Sequence, residues 1–137
     1  MIAQNLIAAS AAIVLLLGTA HLILTYASTR FSPRDAALEE RLKWVSPRIS
    51  DQTTMWRAAT GFHASHSLGA ILFGAVYGNL ALYHYDFLLQ EGFLAILGGV
   101  VLAAYLVLAK LYWFAVPLAG IALALTLYLL GFWIALA

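Results

Sequence analysis

Four apolar stretches, at residues 6–26, 52–83, 87–110 and 114–136, leave this chain very few ways to fold. The first contains no Asp, Glu, Lys or Arg, and its one ionisable side chain is His21. About 20 apolar residues cross the hydrocarbon core of a bilayer as a helix. Composition agrees: 9% of the residues are charged, against roughly 25% in a soluble domain whose surface must be wetted. So few charges cannot cover a soluble globule, whereas lipid needs no such coat. The expected fold is all-α, a four-helix transmembrane bundle forming a single integral membrane domain over residues 1–137.

The first stretch is read as a retained span and not as a secretory leader. No Lys or Arg precedes it, and it exceeds the usual leader core of about 7–15 apolar residues. Residues 28–54 are the one polar segment, and within it 33–45 is expected to be a short helix at the membrane surface. Ser32 offers a cap and Pro33 the first helical position. Ala37, Leu38, Arg41, Leu42 and Val45 then recur at helical spacing, opposite Glu39, Glu40 and Lys43. Ser46-Pro47 ends it, and Ser50-Asp51 is the expected cap of the second span. That span, at 1.5 Å per residue, is roughly 48 Å long, more than the ~30 Å of hydrocarbon.

All seven Lys and Arg lie in or close beside the first and third connections, and the second is flanked only by acids, Asp86 and Glu91. The positive-inside rule then places the basic connections in the cytoplasm and both termini in the periplasm of a bacterial inner membrane. There is no cysteine, which excludes disulfides, iron–sulfur ligation and thiolate chemistry. A net charge of +1 gives no indication of a nucleic-acid partner, and none is expected.

Chemistry concentrates in the second span. At 100° per residue, Thr60, His63, His66 and Ser67 share one face. His21 should lie at a matching depth, since the first span ends where the second begins. Ionisable groups inside a membrane usually face a bundle interior or water and mark function. Three readings stand side by side. The imidazoles and hydroxyls, with Arg57 at the membrane entrance, can hold the polar head of a quinone, sterol or lipid. His21, His63 and His66 can bind a metal, or two of them a haem b. Or the side chains merely join helices, as in an accessory subunit of a larger membrane complex. No reaction is indicated; were there one, a histidine is the expected proton donor or acceptor.

Small residues form two ridges on the same helix, Gly61-Ser65-Gly69 and Ala70-Gly74-Gly78, both suited to close helix packing or to a homo-oligomer contact. Trp44, Tyr112, Trp113 and Phe114 read as an interfacial aromatic belt.

The segment from Trp56-Arg57-Ala58 through Gly61-Phe62-His63-Ala64-Ser65-His66-Ser67-Leu68-Gly69 resembles a group of short uncharacterised bacterial membrane proteins with four spans. The layout, with Gly18 and His21 three apart, is loosely similar to DoxX-like proteins. Neither resemblance implies a reaction. Arg57-Ala58 and His63 also look partly similar to the membrane-associated eicosanoid and glutathione enzymes, whose second helix carries a His-x-Asn-x-x-Glu pattern. Here Ser65 stands in the Asn position and no glutamate occurs in the span, so glutathione binding is not implied.

Overall fold

The computed structural model describes residues 1–137, with six helices and no strand: α1 Ile2–Ala27, α2 Ala36–Leu42, α3 Met55–Tyr83, α4 Tyr85–Gln90, α5 Gly92–Tyr112 and α6 Ala115–Leu136. Three of them, α1, α5 and α6, are long and apolar enough to cross a membrane, consistent with an integral membrane protein. The expected fourth span is a single 29-residue helix, α3, but it is not among those three. The reason is polar content: its first half carries Arg57, Thr60, His63, Ser65, His66 and Ser67.

Element boundaries shift where local hydrogen bonding overrides the sequence signal. The surface helix is shorter than 33–45 and is capped by Asp35, not Ser32. The Asp35 carboxylate accepts from the N–H groups of Ala37 (2.9 Å) and Leu38 (3.3 Å), two donors the first turn leaves open. Thr54 caps α3 in place of Ser50-Asp51, its hydroxyl accepting from Arg57 N–H at 3.3 Å. The span expected at 87–110 is interrupted at Glu91 (φ −84°, ψ 79°), which separates α4 from α5. Pro117 falls in the first turn of α6, where its missing N–H costs little.

The chain forms two compact units, Met1–Leu17 with Ala70–Ala137, and Gly18–Gly69. The first unit holds a core of Ile7, Ala11 and Val14 from α1, Ala70, Phe73, Tyr77 and Ala81 from α3, Leu88, Leu102, and Ile121, Ala124 and Tyr128 from α6. Small residues set the spacing of its helices. A Cβ added at Gly74 would lie 2.6 Å from Leu15 Cβ and 2.7 Å from the Ala11 carbonyl oxygen, so α1 and α3 meet there backbone to backbone. On α5, Gly98 lies under the rings of Tyr77 and Tyr128. With no side chain in the way, the two hydroxyls reach the α5 carbonyls of Leu94 (2.8 Å) and Ala95 (2.9 Å). Buried Ser10 likewise donates to the Ala124 carbonyl of α6 at 2.7 Å.

In the second unit, the end of α1 leads through a polar loop into α2 and the first half of α3. The Met55 N–H donates to the Val45 carbonyl (2.8 Å), and the Lys43 ammonium lies 5.5 Å from the Trp56 ring centre. These contacts tie the segment after α2 to the start of α3. Lys43 also pairs with Glu39 (3.1 Å) and Glu40 (3.2 Å), while Trp44 Nε1 donates to Glu40. The hydrogen bonds from Lys43 and Trp44 hold the Glu40 carboxyl below its ordinary pKa, and those to Glu39 and Glu40 raise Lys43.

Candidate functional site

The second unit brings three histidines together. His21, from the last two turns of α1, and His63 and His66, one turn apart on α3, all lie half-buried. His21 Nε2 and His63 Nδ1 are 3.2 Å apart, a hydrogen bond between two imidazoles. Ring centres are separated by 5.3 Å for His21 and His63 and by 5.5 Å for His21 and His66. A fourth ring completes the cluster. Phe31, from the loop after α1, lies 4.4 Å from His21 and stacks on His63 at 4.9 Å with an interplanar angle of 20°.

The His21–His63 bond fixes what the pair can offer a ligand. Each neutral imidazole has one N–H and one bare nitrogen. One N–H lies between the rings, whichever ring supplies it. The outer nitrogens, His21 Nδ1 and His63 Nε2, therefore carry one donor and one acceptor. Both tautomeric assignments give the same result.

The hydroxyls depart from expectation. Thr60 Oγ1 donates to the Trp56 carbonyl (2.9 Å) and Ser67 Oγ to the His63 carbonyl (2.8 Å), each one turn back on α3. Ser67 is fully buried. Helical Ser and Thr readily make this bond to their own backbone, so neither hydroxyl proton is presented to a ligand beside the imidazoles. Arg57 is exposed, at the start of α3, and has no ion-pair partner.

The metal expectation for His21, His63 and His66 finds no support in the geometry. No three His, Cys, Asp or Glu side chains converge as a metal-ligand group. His21 Nε2 and His63 Nδ1, two of the candidate nitrogens, lie at hydrogen-bond distance from each other.

The helix-packing residues divide. Gly74 is buried against α1, and Gly78 makes ordinary contact with Ala11 at 3.8 Å. Gly61, Ser65 and Gly69 are exposed, and nothing lies within 4 Å of a Cβ built on Gly61. That ridge packs no helix of this chain. Both ridges satisfy the same spacing, and only the second faces the interior.

Phe31 is the site residue the sequence reading missed. It has no periodic partner, and its one signal is a large apolar side chain between Arg30 and Ser32 in an otherwise polar loop. Comparison with protein-family models, curated proteins and solved structures finds no match.

Proposed function

We propose that the His21–His63–His66 cluster holds the polar head of a lipophilic molecule of quinone, sterol or lipid type, with Phe31 as the group the ligand displaces. One observation carries this reading: an aromatic ring from a loop lies flat on His63 and against His21. A flat or hydroxylated head group seated there meets the one outward donor and one outward acceptor of the imidazole pair. A sterol hydroxyl or a quinol matches that complement. Arg57 stays at the entrance, available to an acidic group.

The reading includes the membrane topology. α3 serves as the fourth span, completing a four-helix bundle. Its 29 residues reach about 44 Å at 1.5 Å each, against ~30 Å of hydrocarbon. The arginine-rich connection faces the cytoplasm of a bacterial inner membrane, and both termini face the periplasm.

The test is native mass spectrometry of the gently solubilised full chain loaded with bacterial lipid extract. His66→Ala should lose most of the retained small molecule while His84→Ala, in the α3–α4 joint, keeps it. Equal retention in the two variants refutes the site. A second reading, an accessory subunit of a larger membrane complex, is favoured by the exposure of Gly61, Ser65 and Gly69. It predicts co-purification of a protein that Gly61→Leu releases, with no bound small molecule.

A further inference from the structure

A separate feature of the second unit points to anion binding. The loop between α1 and α2 walls an open cavity of about 510 Å³, lined by Thr29, Arg30, Ser32, Arg34 and Glu39 among others. That volume lies within the roughly 300–1,000 Å³ of small-molecule sites. The loop is held in shape by its own hydrogen bonds. Ser28 Oγ donates to the Leu24 carbonyl (2.6 Å) and accepts from the Arg30 N–H (3.3 Å), while the Ser32 N–H donates to the Thr29 carbonyl (3.0 Å). Phe31 lies on the histidines, and its neighbours Arg30 and Ser32 line the cavity.

The acids beside the cavity are engaged by other groups, and its two arginines form no ion pair. The Asp35 carboxylate accepts two N–H groups at the start of α2, and the Glu39 carboxylate is paired with Lys43 at 3.1 Å. The ion pairs of the chain are both made by Lys43, which leaves Arg30 and Arg34 uncompensated. Two guanidinium groups and two hydroxyls around one cavity are a donor set for a tetrahedral anion, which Arg binds through paired N–H groups.

We propose that this cavity binds a phosphate monoester through Arg30 and Arg34. The chemistry is shared by two sources, the monoester headgroup of a lipid such as phosphatidic acid and a free phosphate compound. The cavity follows within a few residues the end of a helix able to cross a membrane, and so lies where a headgroup would reach it.

The test titrates the full chain, in a non-ionic detergent, with short-chain phosphatidic acid, with phosphatidylcholine of equal chain length, and with inorganic phosphate, read by native mass spectrometry. Phosphatidic acid should bind at least tenfold more tightly than phosphatidylcholine. Arg30→Gln and Arg34→Gln should each weaken it by about three- to tenfold, as for solvent-accessible charge-assisted contacts, whereas Arg48→Gln should not. Displacement by millimolar inorganic phosphate supports the proposal with a free phosphate as source. Resistance to it supports the lipid headgroup. The proposal is overturned if phosphatidic acid shows no preference, or if Arg48→Gln weakens it as much as the cavity variants, with helicity unchanged in all of them.

Discussion

Replacing Gly98 with Ala tests the packing of the first unit at its tightest point. The new Cβ would meet the Tyr128 hydroxyl at overlapping distance, the Tyr77 ring at 2.6 Å and the Tyr128 ring carbon that bears the hydroxyl at 2.7 Å. Neither ring can retreat without releasing its hydrogen bond to Leu94 or Ala95. Overpacking a fitted interior costs about 1–3 kcal/mol. Two interhelical hydrogen bonds in a membrane protein add roughly 0.6 kcal/mol each. The better helix propensity of Ala offsets about 0.8–1.0 kcal/mol. The expected net loss is about 1–3 kcal/mol. Equilibrium unfolding in mixed micelles of increasing SDS fraction, followed by circular dichroism, measures it. Gly61→Ala is the matched control: nothing lies near that Cβ, so it should leave stability unchanged or raise it by a few tenths of a kcal/mol to about 1. The Tyr128→Phe background removes the nearest clashing atom, so Gly98→Ala should cost less there, with a coupling of about 0.5 kcal/mol or more. If Gly98→Ala is as stable as wild type, no worse than the Gly61→Ala control, the two tyrosines do not sit on Gly98.

Ser10→Ala should destabilise by about 0.6 kcal/mol or somewhat more, since its donor to Ala124 is fully buried; the same micelle titration reads it, and no change would remove that bond from the account. Phe31→Ala should uncover His21 and His63 and speed their modification by diethyl pyrocarbonate several-fold, with His84 as internal reference; an unchanged rate would mean that Phe31 does not cover them. The Glu40 carboxyl is lowered on folding, so its contribution to α2 is present above the ordinary value of 4.5 and is lost as pH falls through the lowered value. Trp44 emission, isolated by difference against Trp44→Phe, should therefore shift in acid, and the shift should vanish in Glu40→Gln.

What the sequence made legible follows from how strongly each feature is over-determined. Long charge-free runs leave helices as the main solution in lipid, and α1, α5 and α6 appear close to the expected ranges. Caps were less legible because residues 28–36 contain several candidates. Ser32 and Asp35 both suit the role, and the carboxylate at 35 reaches two N–H groups. The histidines were legible through helical phase, which aligns His63 and His66 on α3. Phase could not show that Thr60 and Ser67, on the same face, would turn their hydroxyls back to their own helix. Nor could it choose between two small-residue ridges of identical spacing. Phe31 sits in a loop, where no periodicity exists to place a ring against two others.

The back-bonded hydroxyls have a consequence for how the chain is made. Thr25, Ser28, Thr60, Ser67 and Thr126 each donate to a carbonyl one turn earlier on their own segment. A helix so equipped can leave the translocon and meet lipid with these hydroxyl protons already paired, whereas Ser10 on α1 and Tyr77 on α3 wait for α6 and α5. The imidazole of His21 has no such local bond; its partner, His63, is synthesised 42 residues later. Under the four-span reading, α1 therefore has reason to linger at the translocon's lateral gate until α3 emerges, the two entering the bilayer as a joined pair. The order of synthesis, and not only the final packing, would then select a short polar connection between them.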